Sequence, residues 1–423
     1  MMRTGVSTLL LAAAASLAVA RAGEAAKPKE TKRVPLNPQI AGLGDGGSVR
    51  LRTSEPTPTG RGFCQRMPYD PVNRVGLLYG ACHNPRSIQQ NDVWSFDAST
   101  ATWTELVKSD PRKMKLKFNK FGVRIPAEGP PRPPSVGHTY GVICFDTGAG
   151  KMISLRGGTP GWLRAWPKTR AKAIAKARAA GASEETIRNA RRCLPWMFDV
   201  KTRSWKLACP PEGDTPNHTR AETCVYDPKH KLTLYWSVDV ICQRKGGVFA
   251  YDSEKNRWKF SATRGGPASG IESLGCWDPV NERVLYFSGG YTKTRQVKSF
   301  DYPTLTWTDL GVKNWPKLEK PHPKRGPYRA FSSNGACLAF DTANEVALIF
   351  ARLSKEVLVY PFDVRKKEFL AEQKIPWTSK GSIKCYYEPD QNAVILMGGG
   401  DLQKTQTWAY RYKRAAEEKE ADK

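Results

Sequence analysis

The sequence predicts an all-β fold, a six-bladed β-propeller of four-stranded blades, from two recurring patterns. An aromatic–Asp pair followed seven residues later by a second aromatic occurs five times: Phe96-Asp97 with Trp103, Phe198-Asp199 with Trp205, Tyr251-Asp252 with Trp258, Phe300-Asp301 with Trp307, and Phe362-Asp363 with Phe369. Upstream of each lies another aromatic beside an acid: Tyr69-Asp70-Pro71, Phe145-Asp146, Tyr226-Asp227-Pro228, Trp277-Asp278-Pro279 and Phe340-Asp341, with Tyr387-Glu388-Pro389 as a sixth. Recurrence at a fixed spacing marks a repeat architecture.

Each pattern reads as a hairpin. Asp accepts local backbone hydrogen bonds, and a following Pro presets φ, so Asp-Pro suits a type I turn. A short β-rich run follows each first turn: Val75 to Tyr79, Met152 to Leu155, Leu232 to Trp236, Val284 to Phe287, Val346 to Phe350 and Val394 to Met397. One unit is therefore strand a, acid turn, strand b, variable loop, strand c, acid turn, strand d. The recurring Asp and Trp residues are assigned to turns and to packing between blades, not to a site.

Glycine pairs close several b strands, at Gly157-Gly158, Gly289-Gly290 and Gly398-Gly399. A glycine pair followed by an aromatic and then a tryptophan resembles the kelch repeat, similar to the central domain of galactose-oxidase-like proteins. The resemblance runs roughly from Gly62 to Tyr412, and the second-hairpin acids from Asp199 through Asp252 and Asp301 to Asp363 stand about 50 to 60 residues apart. Blades one, three and five lack the glycine pair, and Phe369 takes the Trp position in blade five. The resemblance implies a fold and no activity. A copper-radical oxidase would need two His and two Tyr converging with a thioether-forming Cys, and the chain has only five His.

The ends bound the ring. Arg3, the apolar stretch Leu9 to Val19 and small-x-small sites at Ala18-Val19-Ala20 or Ala20-Arg21-Ala22 predict a signal peptide over residues 1–22, and hence a secreted or periplasmic protein. No later segment approaches the roughly 20 apolar residues of a membrane span. Residues 61–412 form the propeller and 413–423 a charged tail. The sixth unit lacks strand d, so the leader, residues 23–60, is expected to supply it, through Arg33 to Leu36 or Ser48 to Arg52; an open sheet edge invites aggregation.

The formal charge of +27 favours anionic partners. Much of it sits in two insertions. Val107 to Arg124, within a basic linker over 107–135, carries a net +6, with Lys113, Lys115 and Lys117 among its cations. Trp162 to Arg192, within an insertion over 160–193, carries a net +7, including Lys168, Arg170, Lys172, Lys176 and Arg178. The second reads as a helical hairpin: Pro167 near the start, Gly181 as the stop, then Ser183 capping a helix with Glu184 and Glu185 in its first turn. Strand alternation places b–c loops and d-to-a links at one end of the ring, so both insertions leave from that end as a basic rim.

Ligand-binding candidates at the same end are Arg61, His138, Arg156, Arg220, Glu222, Glu272, Arg329 and Arg352. Arg binds planar oxyanions bidentately. The expected function is binding of an anionic polysaccharide, envelope glycoprotein or other cell-envelope polymer, by a monomer. A sugar-acid isomerase or lyase using Arg, Glu and His is the enzymatic alternative, and a protein-interaction scaffold with an exposed aromatic patch is a third. Nucleic acid fits the charge but not export. No metal site or cofactor is indicated, and no CxxC occurs. Two disulfides are expected across hairpins, Cys193 with Cys209 and Cys64 with Cys82.

Overall fold

The computed structural model describes residues 34–62, 64–80, 91–110, 114–119, 124–133, 139–155, 193–210, 214–216, 223–237, 246–267, 273–289, 295–316, 331, 335–353, 356–379, 381–400 and 403–415, with parts of 171–189. The expected signal peptide lies outside these residues. Six four-stranded antiparallel sheets form the blades, and blade five carries one added strand, Gln373–Ile375. Their inner strands are Tyr69–Asp70, Ile143–Asp146, Cys224–Asp227, Leu274–Asp278, Ala336–Asp341 and Ile383–Glu388.

The seven-residue aromatic spacing has a direct cause in the register. Phe96 pairs with Trp103, Phe198 with Trp205, Tyr251 with Trp258, Phe300 with Trp307 and Phe362 with Phe369, each opposite its partner across the outer hairpin. Ring centroids in these pairs lie 4.8 to 5.2 Å apart. Each second aromatic then packs towards the preceding blade: Trp258 in the core between blades two and three, Trp307 in that between three and four. Six such cores fill the six interfaces between blades.

The acid turns share one geometry. Asp278 Oδ1 accepts the N–H groups of Val280 and Asn281, and Asp341 Oδ1 those of Ala343 and Asn344. Four residues after the acid, the chain enters the left-handed region at Arg74, Ala101, Arg203, Lys231, Asn256, Glu282, Leu305, Glu345, Lys367 and Asn392; blade two's first turn uses Gly150 there.

Blade six is completed from the start of the chain. Ser48–Arg50 pairs antiparallel with Gln406–Tyr410, setting Val49 against Ala409. Of the two candidate donors it is the second that occupies the edge, while Pro35 accepts a hydrogen bond from Gln391. Short connections hold the segment: Gly46 N donates to Tyr412 O and Arg411 N to Gly47 O.

Of the insertions, the first contains a two-stranded hairpin, Leu116–Phe118 with Arg124–Pro126. In the second, one short helix, Glu184–Asn189, is described, with Glu184 and Glu185 in its first turn as expected. No helix among the described residues is long and apolar enough to cross a membrane.

Candidate binding sites at the two ends of the hub

Because neighbouring strands are antiparallel throughout, the acid turns gather at one end of the ring, and b–c loops and d-to-a links at the other. We refer to these as the turn end and the loop end.

At the loop end the sequence candidates divide. Arg61 is fully buried. Its guanidinium pairs with Asp92 and donates to Gly80 O at 2.9 Å. Asp92 also accepts from Trp94 Nε1 at 2.6 Å and Ser109 Oγ at 2.8 Å. Burial alone would raise the Asp92 pKa, but Arg61, Ser109 and Trp94 outweigh it and hold the carboxyl below its ordinary value. Arg61 therefore joins blade one internally and does not present itself to a ligand. Beside it Lys384, equally buried, donates to Arg61 O at 2.9 Å.

Arg352 is different. It continues the alternation of Val346, Leu348 and Phe350, whose side chains pack towards blade six. It is half-buried, and Nη1 donates to Ser379 O at 3.4 Å, while Nε is buried without a partner. Burial lowers its pKa, and no carboxylate among the described residues pairs with it. Lys115 and Lys117 are exposed on the first insertion's hairpin. Arg178 is exposed but already paired, its Nε 2.5 Å from Glu184. His138, Arg156, Arg220, Glu222, Glu272, Arg329, Lys113, Lys168, Arg170, Lys172 and Lys176 lie outside the described residues.

The expected Cys193–Cys209 bridge is not formed; both are thiols. Trp196 pairs with Leu207 and Ala208 N donates to Pro195 O, a register that sets Cys209 opposite Leu194 rather than Cys193. One residue of offset reverses the face of a strand. Cys193 accordingly belongs to the core between blades two and three, and Cys209 packs against that between one and two. Cys64 is a buried thiol donating to Tyr79 O at 3.4 Å, and its expected partner Cys82 is outside the described residues.

The turn end holds a site that sequence reasoning missed. Inner strands of all six blades converge on a cavity of about 340 Å³, lined by Tyr69, Phe145, Tyr226, Trp277, Phe340 and Tyr387, one from each blade. Arg66 also lines it and donates across the hub to the carbonyls of Cys224 and Gly275, in blades three and four. Next to it, Gln65 Nε2 donates to Ser273 O at 3.1 Å, spanning the axis from blade one to blade four. These two side chains tie across the hub and separate this cavity from the loop end. A partial signal existed in the sequence: four residues before the acid, the other blades carry Val142, Thr223, Leu274, Cys337 and Lys384, so Arg66 is one of two cations in that column.

Among the described residues no group of three His, Cys, Asp or Glu could hold a metal ion. No family model matches the chain, and no curated protein does. Solved structures resemble it distantly. An auxiliary nutrient binding protein from Bacteroides thetaiotaomicron aligns at 11% identity over 83% of this chain and 70% of its own, with a TM-score of 0.45. An oligogalacturonate lyase from Vibrio parahaemolyticus aligns at 10% identity over 87% and 98%, with a TM-score of 0.41. A hydrazine synthase from Kuenenia stuttgartiensis aligns at 9% identity and a TM-score of 0.32 over half of this chain, which spans half of that one. Likeness at this level carries no function to this chain.

Proposed function

We propose that this chain is an exported, kelch-type propeller acting as a binding module for an anionic glycan, glycoprotein or cell-envelope polymer, gripped at the loop end. The observation that carries the reading is Arg352: a half-buried cation, without a carboxylate among the described residues, at the end from which both basic insertions leave. A desolvated cation is costly unless an anion meets it. An acidic group of the polymer supplies that anion, and exposed Lys115 and Lys117 add long-range attraction. Among the described residues the exposed large apolar side chains are Leu36 and Val72, neither aromatic, which gives little support to a scaffold built on an aromatic patch.

The test is retention of the full chain on a polyuronate and on a sulfated glycan, beside a neutral glucan, at low and high salt. The reading expects acidic polymers to bind, binding to fade as salt rises, and Arg352→Gln to weaken it about tenfold or more. Equal binding to the neutral glucan, or no effect of Arg352→Gln, would sink it.

A further inference from the structure

The turn-end cavity lies on the opposite side of the Gln65–Arg66 tie from the loop-end candidates, so it is independent of the reading above. Its chemistry is one-sided. Arg66 is the one charged side chain among the residues lining it. No carboxylate among the described residues pairs with that guanidinium; its partners are the carbonyls of Cys224, Gly275 and, at 3.5 Å, Ile143. A guanidinium carries five N–H donors, so donors remain beyond those three bonds.

The acids that ring this end are turned away. Asp70 accepts from Val72 N and Asn73 N, Asp146 from Ala149 N, and Asp227 from His230 N. All three are buried. The tyrosine hydroxyls are engaged as well: Tyr69 Oη donates to Glu388, and Tyr226 Oη accepts from Gly148 N at 3.0 Å. These two contribute ring rather than hydroxyl. Met67, Val225 and Leu338 complete an apolar wall.

We propose that this cavity binds a compact organic monoanion, a carboxylate carried on a single ring. The carboxylate takes the donors of Arg66 that the carbonyls leave, and the ring lies against the aromatic wall. A volume of about 340 Å³ falls at the lower edge of small-molecule sites and suits one ring rather than a chain of them. A lone guanidinium favours a planar, singly charged head over a phosphate, which would need more cations.

Calorimetric titration of the full chain with benzoate and cyclohexanecarboxylate, beside benzamide and benzylammonium, tests this. The expected result is saturable binding of at least one carboxylate, at least about tenfold tighter than the amide or the ammonium. Arg66→Met should abolish it. Because that variant also strips donors from the hub carbonyls, Thr342→Trp serves as a second: Thr342 is exposed on the cavity's rim, and a bulky ring there narrows the opening while leaving Arg66 and its carbonyl partners in place. Carboxylate binding as tight in Thr342→Trp as in the parent overturns the proposal. So does tighter binding of benzylammonium, which would mean the ring of acids dominates, and so does the absence of carboxylate binding to the parent chain.

Discussion

Tyr69 Oη donates to Glu388 Oε1 at 2.9 Å, linking the inner strand of the first blade to that of the last. The seam is close-packed: Tyr69 stacks on Tyr386 with centroids 5.6 Å apart, and a Cβ at Gly76 would lie 2.1 Å from the Tyr386 ring. Only glycine lets the two blades meet there.

Burial pushes the Glu388 carboxyl up to about 7, against the donation from Tyr69. With an ordinary value near 4.5 in the unfolded chain, the native state holds the extra proton between those two pH values. The stabilisation is complete below the lower value and is lost as pH rises through the upper one, by roughly 3 kcal/mol at most. Glu388→Gln keeps an acceptor for Tyr69 without the charge. Thermal unfolding from about pH 5 to about pH 8 should show the parent losing stability with rising pH and the variant losing much less. Parallel curves would count against the assignment.

Arg411 fastens the leader to blade six. It is almost fully buried, and donates to Leu43 O at 2.9 Å, Gln391 O at 3.1 Å and Asn392 O at 3.3 Å. Arg411→Met strands those carbonyls and should cost roughly 3 kcal/mol in denaturant unfolding. Arg411→Lys should recover part of that, since an ammonium reaches fewer of them.

The Arg61–Asp92 pair gives a third expectation. Asp92→Asn leaves a fully buried guanidinium without its counter-charge, which should cost roughly 3–5 kcal/mol. Binding by whatever fraction stays folded should be unchanged, because Arg61 is not exposed. A binding defect in folded protein would restore it as a ligand residue.

The left-handed turn position offers a gain. Lys231 has φ of 57° and Ala101 of 54°. Lys231→Gly relieves a strain that L side chains resist, so it should be stabilising by up to about 1 kcal/mol, less the chain entropy that glycine adds when unfolded. Gly150→Ala should do the reverse: φ is 62°, and an added Cβ meets nothing within 4 Å, so any loss measures backbone strain less the unfolded-chain entropy that alanine removes, with no steric clash added. Paired melting curves decide both.

The sequence by itself determined the blade count, the hairpins and the inward aromatics. These are local properties: an acid that must cap its own turn, and two rings that must face each other across it, leave a fixed spacing in the chain. The left-handed residue four places on was not legible, because ten of its eleven occupants are ordinary side chains rather than glycine. Tertiary structure alone decided which cations are available. Arg61 looked like Arg352 in the sequence, yet Asp92 is brought against the first and no carboxylate among the described residues against the second. A one-residue register offset separated Cys193 from Cys209, and only the closing of the ring carried Arg66 across to blades three and four. Charge pairing and hub contacts depend on distances between blades, and a repeat pattern encodes each blade without encoding what its neighbours bring to the axis.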